Sequence, residues 1–416
     1  MPSSFRRPPQ FAVGCAVAAF AVAMSGPAWA DPAPGYDALV ARLSDTPLIT
    51  EAGALLDAAE ARVRQARVRP NPVLGLEAEN AFGSGPYTGY NSAETSLNLS
   101  TDLELWGRRG ARVDVARAEA DTASRRAALV TADAAGRLAL YYAEAEAADR
   151  RFALTTEALT LTLADTRAAL ALVEEGREPL LSGIQGETEA AAARARLDEA
   201  QAERDAAFAR LTGFAMLVRP VTSIEQTLLD RTPAVIATDA VAPAVLVAQA
   251  EREAADRRIT VERIRSRPDV RASVGFRRFE AEDATALTFG LSVPLPLFDR
   301  NRGNVEAAQA DFRAADARLQ GARQTAEADR VAARARLGSA ASRVSATDGG
   351  VSSAEEAYRL SRIGAEAGRI SQLELRSSRT ALIAARNAAL DARLARVRAE
   401  IDLARLDGRA PFGVSQ

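Results

Sequence analysis

The chain has 416 residues, 53 basic and 55 acidic side chains and no histidine. So even a balance excludes a broad basic face for nucleic acid. One cysteine and three methionines leave no set of soft metal ligands. The carboxylates are spread at helical spacing with no base or nucleophile beside them, so no enzyme, cofactor or resident metal is expected.

Residues 1–30 read as a processing signal. Arg6 and Arg7 form a basic start, Phe11 to Met24 an apolar run, and Ala28-Trp29-Ala30 a cleavage site before Asp31. Cys15 follows Val13-Gly14 as in a lipid-attachment site, but too little apolar sequence precedes it. It belongs to the apolar run, and its loss leaves no disulfide. After the signal no apolar stretch nears the roughly 18 residues of a membrane helix, so a crossing would need a closed barrel.

A first helix is expected from Tyr36 to Arg67, interrupted at Asp45-Thr46-Pro47, where Thr46 or Asp45 can cap the second part. Residues 71–105 then alternate as a β-hairpin around the Gly83, Gly85, Pro86 and Gly89 loop. Leu74, Leu76 and Ala78 oppose Gly75, Glu77 and Glu79 in the first strand. Thr95, Leu97, Leu99, Thr101, Leu103 and Leu105 oppose Glu94, Ser96, Asn98, Ser100, Asp102 and Glu104 in the second.

Each strand has about the 10 residues that a tilted strand needs to cross a bilayer. Two hairpins packed on a soluble core fit the same alternation. If lipid meets the leucines, Glu77, Glu79, Glu94, Ser96, Asn98, Asp102 and Glu104 face a lumen, and ringed carboxylates favour cations. They fit the hydrated face of any strand as well. Trp106 reads as an interfacial anchor or as packing at the strand-to-helix corner, with Arg108 and Arg109 placed to balance Asp102 or Glu104.

From Trp106-Gly107-Arg108-Arg109-Gly110 a helical pattern rich in Ala, Arg and Glu runs to about Val173. Its roughly 65 residues span about 100 Å. Leu159, Leu163, Leu170 and Val173 have coiled-coil spacing. Gly176 and Pro179 break the run, and a return helix goes from Pro179 to Leu211, ended by Gly213. The helical pair 107–213 completes a first unit, 31–213. Residues 214–238, with Pro220 and Pro233, are irregular.

A second unit, 239–408, repeats the plan. It has a helix from Ala242 to Ile264, a hairpin at 269–296, a helical pair at 300–406 stopped at Gly408, and a tail, 409–416. In the hairpin Val270, Ala272, Val274 and Phe276 share a face, as do Thr285, Leu287, Phe289, Leu291, Val293 and Leu295. Gly176 and Gly368 stand 192 positions apart, Leu181 and Leu373 likewise, and Gly213 and Gly408 nearly so. Asp348-Gly349-Gly350 is discordant inside the second long helix, marking a kink or local unwinding. Four strands cannot close a membrane barrel, for which about 8 are needed, whereas three chains would supply 12.

From about residue 36 to 408 the chain resembles the TolC-like outer-membrane efflux proteins, most of all the outer-membrane component of cobalt-zinc-cadmium resistance systems. The resemblance rests on Asn71-Pro72, on Glu94-Thr95-Ser96-Leu97 through Leu103-Glu104-Leu105-Trp106-Gly107-Arg108-Arg109, on Pro294-Leu295-Pro296-Leu297-Phe298-Asp299-Arg300-Asn301-Arg302-Gly303, and on Gly368-Arg369-Ile370-Ser371-Gln372-Leu373-Glu374-Leu375.

It implies a homotrimer in the bacterial outer membrane, with a 12-stranded β-barrel joined to a long α-helical barrel in the periplasm. The implied partners are a periplasmic adaptor (membrane fusion) protein and an inner-membrane resistance-nodulation-division pump. The implied task is passive exit of heavy-metal cations; drug efflux or type I secretion through the same fold are alternatives. The turns holding Glu174, Glu175, Gly176 and Glu178, and Arg362, Glu366, Gly368 and Leu373, would form the inner end, where the charges either latch a closed aperture or merely solvate helix ends. A periplasmic coiled-coil adaptor or structural protein is the competing class. The two symmetric hairpins, each joined to an equally long helix, argue against it.

Overall fold

A computed structural model describes residues 32–231 and 240–412. The signal at 1–30, the later part of the irregular segment and the second half of the tail lie outside the described residues. Helix α1 (Tyr36–Ala41) leads through a short 3-10 turn into α2 (Pro47–Arg67), then β1 (Val73–Glu79) and β2 (Glu94–Asp102). Helices α3 (Arg108–Glu174), α4 (Leu180–Phe214) and α5 (Pro243–Arg265) follow. Strands β3 (Arg271–Phe279) and β4 (Ala284–Ser292) and helices α6 (Arg302–Glu366) and α7 (Gln372–Leu406) complete the chain.

The two long helices set the frame. With 67 and 65 residues, α3 and α6 each reach about 100 Å at 1.5 Å per residue. Shorter helices lie beside them. Towards the sheet, Arg112 of α3 donates to the Ala66 carbonyl of α2 at 3.0 Å. Arg258 of α5 meets Glu119 of α3 at 2.6 Å, and Arg252 of α5 meets Asp316 of α6 at 2.7 Å. Away from the sheet, Thr166 of α3 donates to Gly186 of α4 at 2.9 Å. Arg398 of α7 meets Glu144 of α3 at 2.7 Å, and Arg393 of α7 meets Asp348 of α6 at 2.8 Å. The helices therefore form a wall one layer thick, ordered α2, α3, α5, α6 near the sheet and α4, α3, α7, α6 beyond it.

Alanine makes this wall possible. The buried stripes of α3 and α5 are mostly alanine, which lets helix backbones approach but removes little area from water. Among the described residues the thickest core sits at mid-length, where Tyr36 and Leu39 of α1, Leu138 and Tyr142 of α3, Leu211 of α4 and Val397 of α7 cluster with Leu228 and Leu229. Tyr36 donates to the Pro411 carbonyl at 2.6 Å, and its ring meets that of Tyr142 edge-on at 5.9 Å. Both repeats and both ends of the described chain meet at this belt. Burial there pushes the Tyr142 hydroxyl up to about 12.

Several local expectations are corrected. Thr46 precedes α2, but its hydroxyl donates back to Leu43 at 2.7 Å and caps nothing; Pro47 opens the helix. Gly213 lies within α4, and Met216, at φ 51°, is the left-handed residue after it. Asp348-Gly349-Gly350 does not unwind α6, which runs through it uninterrupted, and Arg393 of α7 donates to Asp348 there at 2.8 Å. Thr162, Thr166 and Ala169 form the buried line of α3, with the nearby leucines half-buried.

Candidate functional site: a two-faced sheet and two helix turns

The four strands form one antiparallel sheet in the order β1-β2-β3-β4. Period-two alternation and register assign every side chain to a face. Leu76 opposes Leu97, Leu97 opposes Phe276 and Phe276 opposes Leu287; one register step on, Leu74, Leu99, Val274 and Phe289 form the next row. This apolar face is open to its surroundings, with Leu76 74% and Phe289 76% exposed. A patch of that size on a folded chain marks a surface that something apolar must cover.

On the opposite face Glu77, Ser96, Arg277 and Ala286 form one row, and Glu79, Glu94, Phe279 and Ala284 the next. Asn98 opposes Gly275 there, and Asp102 opposes Arg271. The carboxylates do not stand alone. Arg277 binds Glu94 at 3.0 Å and Glu79 at 3.6 Å, and donates to Ser96 at 3.0 Å. Arg271 binds Asp102 at 2.8 Å. Neither arginine stands out by sequence motif, although the strand pattern places both on the polar face. Four carboxylates against two guanidiniums still leave this face acidic.

Glu104 lies beyond β2, where its carboxylate meets Arg112 at 2.6 Å instead of continuing the polar row. The expected balance of Asp102 or Glu104 by Arg108 is corrected too. Arg108 binds Asp269 at 2.8 Å and donates to the Arg267 carbonyl. Trp106 completes this corner: its indole N–H donates to the Pro268 carbonyl at 3.2 Å, and the Arg267 guanidinium lies 5.5 Å from its ring. An indole with one polar edge and a cation over its face holds the end of β2 against the start of β3.

At the far end of the wall the two helix turns share one construction. Gly176 at φ 71° and Gly368 at φ 68° follow α3 and α6. A left-handed residue at this position is nearly free for glycine and costs other residues strain. Arg177 then donates to the Leu172 carbonyl at 2.9 Å, and Arg369 to that of Gly364 at 2.8 Å. Leu373 is exposed. Arg362 approaches Glu366 of its own helix at 3.8 Å, and Glu178 accepts from Ser182 at 3.0 Å. Among the described residues no ion pair joins Arg362 or Glu366 to Glu174, Glu175 or Glu178.

One link between the repeats lies about two helical turns further in. Arg379 of α7, 4% exposed in its side chain, binds Asp165 of α3 and, at 2.7 Å, Glu189 of α4. Burial raises the Asp165 carboxyl above its ordinary value, against the pull of Arg379. Helix periodicity shows that Arg379 lies on a face of α7, but not which helices that face meets.

Beside this geometry stand the relatives. Residues 39–215 and 238–409 match the family described as "Outer membrane efflux protein". The nickel and cobalt resistance protein CnrC of Cupriavidus metallidurans is 38% identical over 325 residues, 77% of each chain. The nickel-cobalt-cadmium resistance protein NccC of Alcaligenes xylosoxydans xylosoxydans is 35% identical over 313 residues, 74% of this chain and 71% of its own. The cobalt-zinc-cadmium resistance protein CzcC, at 27%, is less similar, so the expected assignment to that branch widens to these metal-resistance relatives. The crystal structure of CusC superposes with a TM-score of 0.78 at 19% identity, covering 90% of this chain and 92% of that one. The strand pattern, the repeat and these matches agree: the chain belongs to the outer membrane efflux protein family, as an outer-membrane channel.

Proposed function

We propose that three copies of the chain join their sheets into a 12-stranded barrel, and that their helices continue it as one tube through the periplasm. The observation that carries this reading is the sheet itself. Strands β1 and β4 each end it with an unpaired edge, one face is apolar and bare, and the other is polar. Open strand edges are not tolerated in lipid, so closure must come from further copies.

The cargo we infer is heavy-metal cations, nickel and cobalt foremost, supported by the likeness to the resistance proteins CnrC and NccC. A net acidic lining suits cations without binding them tightly. The ions would arrive from a resistance-nodulation-division pump through a periplasmic adaptor that docks on the turns at Gly176 and Gly368. Those turns then form the inner aperture, with Arg379 holding α3, α4 and α7 together behind it. Loss of the chain should raise cell-associated nickel and cobalt in a host that carries the matching pump and adaptor, and plasmid-borne wild type should restore efflux. Unchanged nickel and cobalt with altered retention of a drug or a secreted polypeptide would assign the duct to that cargo instead.

A further inference from the structure

The corner at Trp106 has a counterpart that the chain leaves unfilled. At the repeat interval of 192, Leu103, Leu105 and Trp106 correspond to Leu295, Leu297 and Phe298. At an interval of 198, Arg267-Pro268-Asp269 corresponds to Arg69-Pro70-Asn71. Inside the chain the first members of each set meet, Trp106 on Pro268 and Arg267. The second members do not. Phe298 is 99% exposed, and beside Pro70 an open groove of about 530 Å3 is lined by Ala66, Val68, Arg69, Pro70, Asn71 and Arg112. They lie on opposite sides of the chain, at the two free edges of the sheet.

The same intervals carry strand register. Leu99 opposite Val274 becomes Leu291 opposite Leu76, and Leu97 opposite Phe276 becomes Phe289 opposite Ala78. All of these residues lie on the apolar face, whereas a slip of one residue would send them to the polar one. The backbone agrees. Leu103 donates to the Val270 carbonyl at 2.8 Å, and the corresponding acceptor for Leu295 is Pro72, which keeps its carbonyl and lacks only an N–H.

We propose that β4 of one copy pairs with β1 of the next, Leu291 opposite Leu76 and Phe289 opposite Ala78, and that Phe298 of the first copy seats in the groove beside Pro70 of the second. The proposal rests on the three-copy reading and specifies its seam. Arg69 stands where Arg267 covers Trp106 and offers Phe298 the same cation over its ring. The Arg108 to Asp269 ion pair has no charged counterpart, because Asn71 stands in place of Asp269. The seam between copies is therefore held by the ring and the strand pairing.

The test is oxidative cross-linking of the full chain carrying Leu76→Cys with Leu291→Cys, read on a non-reducing gel beside its native mass in detergent. Covalent dimers and trimers are expected from this pair and not from Leu76→Cys with Phe289→Cys, whose sulfurs would be too far apart to bridge. Cross-linking by the second pair instead, or by neither in a chain whose native mass is three copies, would overturn the register. A native mass of one copy would overturn the three-copy reading itself. For the seat, Phe298→Asp should lose the trimer band at a temperature where wild type and Phe298→Trp keep it. A Phe298→Asp trimer as heat-resistant as wild type would assign the ring to lipid and overturn the seat.

Discussion

Arg277 on β3 and Glu94 on β2, 183 positions apart, hold each other at 3.0 Å on the polar face of the sheet. Their charges largely cancel, so the selectivity of a lumen lined by this face depends on pairs and not on isolated carboxylates. Removing either partner uncovers the other. Arg277→Gln should raise cation over anion permeability, and Glu94→Gln or Asp102→Asn should lower it, each by roughly twofold through the local field. Reversal potentials in planar bilayers under a salt gradient measure both directions. If all three variants matched wild type, this face would not line the path.

Glu146 anchors the mid-length belt. It is 3% exposed, and one of its oxygens accepts from the backbone N–H groups of Leu228 at 2.7 Å and Leu229 at 3.1 Å. The other meets Arg150 at 2.7 Å. Glu146→Ala strands two buried donors and leaves Arg150 with Asp230 as its remaining carboxylate, a loss of about 2–3 kcal/mol. Chemical denaturation should show that loss, with faster proteolysis at 215–231. Glu146→Gln, which keeps an oxygen for the two amides, should fall between.

Glycine has opposite consequences in the two long helical pairs. A Cβ at Gly186 would lie 3.1 Å from the Thr166 methyl and 3.4 Å from its Cα, whereas one at Gly349 meets nothing within 4 Å. Gly186→Val should destabilise by about 1–3 kcal/mol through overpacking. Gly349→Ala should stabilise by about 1 kcal/mol through helix propensity. Paired denaturation curves check both. A stabilising Gly186→Val would contradict the close approach of α3 and α4.

Asp230 gives the belt a pH dependence. A hydrogen bond from Arg150, at 2.5 Å, is the main cause that holds its carboxyl below the ordinary value of 3.8. A carboxyl depressed by folding binds its proton more weakly in the native state, so its contribution is present above the unfolded value and lost as pH falls through the native one. Stability should decline on acidification below about pH 4, and Asp230→Asn should flatten that decline. Denaturation midpoints measured on either side of this range decide it; identical slopes in both proteins would contradict the assignment.

Legibility in the sequence depends on range. The faces of the strands follow from alternation between neighbours, and the turns follow from Gly176 and Gly368, where a left-handed backbone selects the residue. The pairing of Arg277 with Glu94 depends on how two hairpins from different repeats come into register, which neither hairpin contains. Likewise Glu146 is an unremarkable acid in a helix until the segment after α4 folds back onto it. Proximity in the chain points Arg108 to Asp102 or Glu104, but the corner turns it to Asp269, 161 positions away. Gly183 and Gly186 give no warning, because the rotation of α4 about its axis decides that they face Leu170 and Thr166.

Single-particle imaging of the full chain in lipid nanodiscs tests the central claim most directly. The account predicts one closed ring of 12 strands, four from each of three chains, running without a break into a helical tube. A particle with one copy, or a ring whose polar face looks towards lipid, would contradict it.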